Sequence, residues 1–268
     1  RPSMRVAVGQ IEPHVSEYKR NLQIIRDVLS EAKDMEIDVL VLPELCNSGY
    51  VFESREELEA SAESIPEGQT SRELISWSRD GRFVVAGICE RTKEGLYNSA
   101  AAFGDGKHIG TYRKIHLFLN EHDWFLQGNE EPPVFEHNEN RFGVMICFDW
   151  AFPEVARILA LKQAQIILHP ANLVLPYCQD AMVTRSIENH IFTATANRTG
   201  TERGVTFSGS SQITDVNGKR LVRMGLSDSG IGLTDVELKL ADTKSITARN
   251  DALGDRRPGL YTRLTQDD

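Results

Sequence analysis

The chain has 268 residues, 40% of them hydrophobic and 26% charged, a composition typical of a soluble globular protein. Its formal net charge of -9 argues against a nucleic-acid-binding protein, which needs a surplus of lysine and arginine on one face. No apolar segment is long enough to span a bilayer and no signal peptide is visible, so we expect no membrane association. The four cysteines lack metal or disulfide spacing, which favours a reducing, cytoplasmic location.

Residues 4–262 are expected to form a single domain, because no linker, repeat or change of composition divides the chain. A chain of this length can bury a large core in one α/β domain. Residues 1–3 (Arg-Pro-Ser) precede Met4 and are interpreted as an expression remnant ahead of the native initiator.

In the first half of the chain, apolar strands alternate with amphipathic helices. Ser16 is predicted to cap the first helix. Two Ser/Thr-x-x-Glu capping boxes, Ser54 with Glu57 and Thr70 with Glu73, predict the starts of two more helices. A Gly-Asp-Gly turn at 104–106 is expected to join two neighbouring strands. The strands predicted in this half are 5–11, 37–42, 82–88, 98–103 and 108–112.

The second half continues the same alternation. Helices are predicted at 153–164, where Pro153 suits the first turn, and at about 179–190. Strands are predicted at 142–146, 165–168, 192–196, 205–214, 220–224 and 230–236. The polar segment 249–261 is expected to lie on the surface or to reach a partner subunit. The alternation predicts an α/β domain with a large central β layer covered by helices.

Four polar residues each follow a separate apolar strand: Glu44, Lys114, Cys147 and Asn172. Groups just beyond the carboxyl ends of strands converge on one crevice in α/β folds, so these side chains are expected to meet. Taken singly, Glu44 and Lys114 are equally compatible with solvated surface charges. Cys147 stands at a strand-to-helix junction, where backbone N–H groups and the helix dipole favour a thiolate. The other cysteines are expected to be inert core residues: Cys46, Cys89 and Cys178.

Three segments resemble the signature motifs of the nitrilase superfamily of carbon–nitrogen hydrolases. They are Val-Leu-Pro-Glu-Leu at 41–45, Tyr-Arg-Lys-Ile-His-Leu at 112–117 and Val-Met-Ile-Cys-Phe-Asp at 144–149. They occur in that family's order and approximate spacing, and the resemblance runs from about 4 to 261. The segments 47–50, 147–154 and 169–173 look closest to the archaeal nitrilase and aliphatic amidase branch.

The resemblance implies a catalytic triad of Glu44, Lys114 and Cys147. Glu121 occupies the place of a second glutamate found in many members, where it would orient the substrate amide and Glu44. The oxyanion would be held by Lys114 and by the backbone N–H of Phe148. No metal or cofactor is implied. The residues expected to line the substrate pocket are Tyr50, Trp124, Trp150 and Asn172.

The resemblance also implies a four-layer αββα sandwich, doubled across a homodimer. The dimer would form through the helices at 153–164 and about 179–190, and assemblies of dimers are possible. The implied reaction converts a small aliphatic amide to its carboxylic acid and ammonia through a cysteine thioester. The same triad serves nitrilases acting on small nitriles and N-carbamoyl amine amidohydrolases, and the motifs do not separate these activities.

Several rival functions are disfavoured by the sequence. His116, His122 and Asp123 lie close together, but neither H-E-x-x-H nor a Cys/His zinc spacing accompanies them. Gly-Asp-Gly-Lys at 104–107 matches neither the dinucleotide-binding fingerprint nor the G-x-x-x-x-G-K-[ST] phosphate loop. A hairpin turn explains it better. Acyl transfer or a glutaminase role would suit the same fold, but we expect no appended synthetase or membrane domain. A purely binding protein is hard to reconcile with three intact motifs.

Overall fold

The structure is a computed structural model that describes residues 3–267. Of the proposed remnant, Arg1 and Pro2 lie outside the described residues. The strands are β1 (Met4–Gln10), β2 (Val39–Val41), β3 (Phe83–Arg91), β4 (Leu96–Gly104), β5 (Lys107–Arg113), β6 (Val134–His137), β7 (Asn140–Val144), β8 (Ile166–Pro170), β9 (Phe192–Ala196), β10 (Thr201–Glu202), β11 (Val205–Thr206), β12 (Gln212–Thr214), β13 (Arg220–Arg223), β14 (Gly230–Val236), β15 (Ser245–Thr247) and β16 (Asn250–Asp251). The α-helices are α1 (Tyr18–Asp34), α2 (Arg55–Ser61), α3 (Gln69–Trp77), α4 (Glu121–Trp124), α5 (Pro153–Leu161) and α6 (Cys178–Asn189), and 3₁₀ helices cover Cys147–Ala151, Leu238–Asp242, Pro258–Leu260 and Thr262–Thr265.

Two six-stranded mixed sheets carry most of the strands, with the orders β14-β1-β2-β3-β4-β5 and β13-β12-β9-β8-β7-β6. In each sheet the three middle strands are parallel and their outer neighbours are antiparallel. The central parallel strands β2, β8 and β9 are buried along their whole length, and β2 and most of β8 are apolar because both of their faces are covered. The mixed α/β class predicted from the alternation of elements is therefore confirmed.

The two sheets share an apolar core. The ring of Phe83 on β3 stacks on that of Phe142 on β7 with centroids 4.5 Å apart. Leu159 of α5 and Met182 of α6 belong to the same buried cluster. The opposite side chains of the first sheet form a second cluster with α1 and α3. These contacts fix the two sets of strand ends relative to one another.

Most predicted strands lie within two or three residues of the observed ones, but the predicted strand 205–214 is wrong. Gly209 and Ser210 adopt φ values of 55° and 53°, which no strand tolerates, so the segment is broken there. β11 pairs with β10 in a small hairpin, whereas β12 joins the second sheet. The edge strand β6 was not predicted, since it is short and half-exposed.

Two predicted helix caps are also wrong, because both helices begin at other residues. Helix α1 begins after Glu17, and Ser16 has a positive φ of 66°. Helix α3 begins after Gly68, and the backbone N–H of Thr70 donates to the Glu63 carboxylate at 2.8 Å. The cap at Ser54 is confirmed, because its hydroxyl accepts from the Glu57 N–H at 3.1 Å.

Candidate active site

Glu44 lies just beyond β2, where the chain is held against β3. The Leu42 N–H donates to the Val85 carbonyl at 2.9 Å, and the Gly87 N–H donates to the Pro43 carbonyl at 3.1 Å. A Cβ at Gly87 would lie 2.3 Å from the Glu44 Cα, so only glycine permits this approach. The Glu44 side chain is fully buried as a result.

Lys114 lies just beyond β5, and its ammonium group is buried between two carboxylates. Its Nζ is 2.9 Å from Glu44 Oε2 and 2.7 Å from Glu121 Oε1. Glu121 is the first residue of α4, and its Oε2 accepts from the Tyr50 hydroxyl at 2.6 Å. The structure thus brings together four of the residues selected from the sequence.

Asn98 joins this cluster, although sequence reasoning missed it. Its amide nitrogen donates to Glu44 Oε2 at 2.7 Å and to Glu121 Oε1 at 3.1 Å. The residue lies in β4 and is 1% exposed. The signal for Asn98 in the sequence is an amide side chain within a mostly apolar strand. Asn98 and Lys114 together fix both glutamates, because a buried carboxylate needs such donors.

Cys147 is the first residue of a 3₁₀ helix beyond β7 and has a φ of 39°, which is rare for a non-glycine residue. Its Sγ lies 3.7 Å from the carbonyl oxygen of Asn172. The Cys147 carbonyl accepts from His169 Nε2 at 2.9 Å. Burial lowers the pKa of His169 to about 4, so the ring is neutral and Nε2 carries the proton. This contact supports the unusual backbone of Cys147.

A buried aspartate connects the segment around Lys114 to the turn of Cys147. Asp149 Oδ2 accepts from the Tyr112 hydroxyl at 2.7 Å and from the Ile146 N–H at 2.9 Å. Asp149 Oδ1 lies 2.8 Å from His116 Nδ1. Tyr112 and His116 flank the lysine, whereas Ile146 and Asp149 flank the cysteine. Asp149 lies in the third signature motif, but its position in the sequence does not reveal this role.

The charges of the site act on one another strongly because the groups are buried. Burial raises the pKa of Glu44 to about 7, with the Lys114 charge opposing the rise and that of Glu121 adding to it. Burial works against the charge of Lys114, but Glu121 and Glu44 outweigh it and raise the lysine pKa.

Cys147 does not show the depressed pKa expected at a strand-to-helix junction. Burial, followed by the negative charge of Glu44, raises the pKa of its thiol well above the ordinary value, although Lys114 opposes the rise. The predicted thiolate is therefore wrong for this arrangement, since a 3₁₀ helix of five residues carries too small a dipole to offset burial. The resting side chain is a neutral thiol.

One oxygen of Glu44 is left without a hydrogen bond. Its Oε1 is buried and meets no donor among residues 3–267, whereas Oε2 accepts from Lys114 and Asn98. A buried acceptor without a partner is costly and therefore informative. Oε1 is the atom of Glu44 that is available to take a proton.

Two adjoining cavities meet at the site. The cavity at the thiol is the smaller one and is lined by Phe118, Cys147, Phe148, Trp150, Asn172, Leu173, Val174 and Leu175. The second, larger cavity is lined by Tyr50, Val51, Phe52, Phe118, Leu119, Asn120, Glu121, Trp124, Phe125, Val174 and Val205. Of the predicted pocket residues, Trp150 and Asn172 line the first cavity, and Tyr50 and Trp124 line the second. Neither polar atom of the Asn172 amide meets a partner within residues 3–267.

The model of the carbon–nitrogen hydrolase family matches residues 5–246 of the chain. The chain belongs to this family. This carbon–nitrogen hydrolase is 42% identical over 261 residues to a nitrilase of Pyrococcus abyssi, covering 97% of the chain and 100% of that protein. It is 30% identical over 243 residues to a 2-oxoglutaramate amidase of Bacillus subtilis, covering 86% of the chain and 89% of that protein.

Solved structures agree with these relatives. An amidase from Nesterenkonia sp. AN1 in complex with acrylamide matches this carbon–nitrogen hydrolase with a TM-score of 0.82, at 25% identity, over 98% of both chains. Another structure of that amidase carries acrylamide added at the active site cysteine. The predicted membership of the nitrilase superfamily and the predicted hydrolase class are confirmed. Within residues 3–267, no helix is long and apolar enough to cross a membrane.

Proposed function

We propose that this carbon–nitrogen hydrolase converts a small aliphatic amide to its carboxylic acid and ammonia through a thioester on Cys147. The observation that carries the proposal is the state of Glu44. Its Oε1 is free of hydrogen bonds and its pKa is about 7, so this carboxyl can both accept and return a proton near neutral pH. Both transfers are needed when an amide nitrogen leaves as ammonia.

In the first step the Cys147 Sγ attacks the amide carbon, and its proton passes to Glu44. The carbonyl oxygen becomes an oxyanion that Lys114 and the backbone N–H of Phe148 stabilise. Removing one such donor typically costs about 2.7–4 kcal/mol of barrier. Because burial holds the thiol neutral, proton transfer accompanies attack instead of preceding it.

In the second step the carbon–nitrogen bond breaks, and Glu44 returns the proton to the leaving nitrogen. A water molecule, activated by the same carboxylate, then attacks the thioester carbon and releases the acid and the thiol. Glu121 orients Lys114 and Tyr50, and through them the substrate amide. The pocket roles of Trp124, Trp150 and Asn172 belong to this proposal, supported by their positions in the cavity walls.

A small nitrile is the second candidate substrate. The 42% identity to a nitrilase of Pyrococcus abyssi favours it, whereas the likeness to the Nesterenkonia amidase over nearly all of both chains favours the amide. A nitrile would form a thioimidate on Cys147 and would need a second water to reach the acid. An N-carbamoyl amine stays an alternative for the same triad.

We further propose that residues 4–262 form one domain with the four-layer αββα arrangement, doubled across a homodimer. Apolar side chains exposed on α5, on α6 and in the C-terminal segment support such an interface: Leu161, Ile187, Leu260 and Leu264. Assemblies of dimers and a cytoplasmic location stay predictions.

Measuring ammonia release from matched small amides, nitriles and N-carbamoyl amines tests the reaction. Cys147→Ala should abolish turnover of every substrate, whereas Cys178→Ala, which removes another buried thiol, should retain it. Circular dichroism checks that both variants are folded. Turnover by Cys147→Ala would rule out the proposed nucleophile. Activity that appears only when hydroxylamine is supplied as acyl acceptor would favour acyl transfer.

A further inference from the structure

The two cavities of the site share two wall residues, Phe118 and Val174. The Phe118 ring packs against Phe148, the residue after the nucleophile, with centroids 4.9 Å apart. Both shared residues are only half-buried. They therefore form the boundary between the thiol and the larger outer cavity.

The wall of the outer cavity is largely apolar, and its polar groups are the exposed Asn120, Glu121 and the hydroxyl of Tyr50. Most of its wall consists of aliphatic and aromatic side chains from the segments 51–52 and 118–125 and from Val174 and Val205. Glu121 and the Tyr50 hydroxyl are hydrogen-bonded to each other at 2.6 Å. The tail of a bound molecule would therefore meet hydrocarbon, while its polar head stays near Lys114.

Neither cavity wall, as described by the structure, contains a lysine, an arginine or a histidine. The nearby Arg203 already forms an ion pair with Glu57: its Nη1 lies 2.6 Å from Glu57 Oε1 and its Nη2 lies 2.7 Å from Glu57 Oε2. Lys114 is fully buried between its two carboxylates. A carboxylate on the tail of a substrate would lose its hydration here without gaining a cation.

We infer that the site selects uncharged amides with an apolar acyl chain, and that this chain passes between Phe118 and Val174 into the outer cavity. The inference rests on the proposed function, since it places the scissile carbonyl at Cys147. It assigns substrate specificity to residues that lie outside the triad. It also excludes half-amides of dicarboxylic acids as good substrates.

Two substrates of equal length test the charge selection. Hexanamide and the half-amide of adipic acid differ only in the terminal group of a six-carbon chain. We expect kcat/KM for hexanamide to exceed that for the half-amide at least about 100-fold, because the wall offers the carboxylate no cation. Comparable values for the two would overturn the inference while leaving amide hydrolysis in place.

The path between the cavities is tested by Val174→Phe, which should narrow it. The ratio of kcat/KM for hexanamide to that for acetamide should fall at least about tenfold, since only the longer chain needs the outer cavity. Ile109→Phe is the matched control, because Ile109 is exposed on β5 and lines neither cavity. An unchanged ratio in Val174→Phe would refute the path.

A readout without turnover separates this inference from the proposed function. Iodoacetamide alkylates the Cys147 thiol with loss of iodide and a proton, and intact mass spectrometry follows the adduct, with Cys147→Ala as the blank. Hexanamide should slow this labelling, whereas the half-amide should not. If no amide is hydrolysed but this difference is observed, the proposed reaction fails and the selectivity stands. Equal protection by both compounds would overturn the selectivity.

Discussion

Replacing Glu44 with glutamine tests the electrostatic state of the site through protein stability. Glu44 is completely buried, and its pKa rises from 4.5 to about 7 because burial outweighs the attraction of Lys114. A carboxyl with a raised pKa binds its proton more tightly in the folded protein than in the unfolded chain. Its stabilising contribution is therefore complete below pH 4.5 and is lost as the pH rises through 7.

The size of the effect follows from the two pKa values. With 4.5 in the unfolded chain and about 7 in the folded protein, the free energy of unfolding should fall by about 2–3 kcal/mol between pH 5 and pH 8 on account of Glu44. Glutamine has no proton to lose, so Glu44→Gln should lack this part of the decline. Lys114 should remain paired in the variant, because its Nζ also lies 2.7 Å from Glu121 Oε1.

Urea unfolding of the native protein and of Glu44→Gln at the two pH values measures this difference. Glu56→Gln is the control, because Glu56 is an exposed glutamate in the first turn of α2. The variant should also lose ammonia release, which shows that the replaced carboxyl serves catalysis. Equal declines in the native protein and in Glu44→Gln would refute the raised pKa, and with it the double role of Glu44.

Two further predictions concern activity. The kcat/KM for an amide should rise with pH with a midpoint near 7, because Glu44 must be ionised to accept the thiol proton, and a midpoint below pH 5 would contradict this. Asp149→Asn should lower kcat at least about tenfold, because an NH₂ group would then face the donors of Tyr112 or Ile146, or else His116 would lose its acceptor. Asp105→Asn, at an exposed turn between β4 and β5, is the matched control, and an unchanged kcat in Asp149→Asn would show that the bridge does not position the site.

The sequence predicted which strand ends carry the chemistry, because that information is local. Glu44, Lys114 and Cys147 each follow an apolar run, and their order matched a known family. Glu44 and Cys147 follow parallel strands of the two sheets, and Lys114 follows the edge strand β5, which runs in the direction of β3 because two antiparallel pairings separate them. Position along the chain was therefore enough to propose these three residues for the site.

The partners that hold these residues could not be predicted in the same way, because they depend on pairing across strands. Asn98 reaches both glutamates only because β4 lies between β3 and β5, with Asn98 opposite Cys89 and its carbonyl bound to the Lys114 N–H at 2.9 Å. His169 meets the Cys147 carbonyl across 22 positions of sequence. No periodicity in one segment encodes such a register.

The wrong expectation about the thiol shows how the site works. Lys114 already neutralises one of two neighbouring carboxylates, so an additional thiolate would place a second uncompensated negative charge in a buried position. Under the proposed mechanism, the proton therefore stays on sulfur until a carbonyl oxygen beside Lys114 can receive the negative charge. Under the proposed mechanism, the arrangement that raises the thiol pKa also confines the reactive thiolate to the moment of attack.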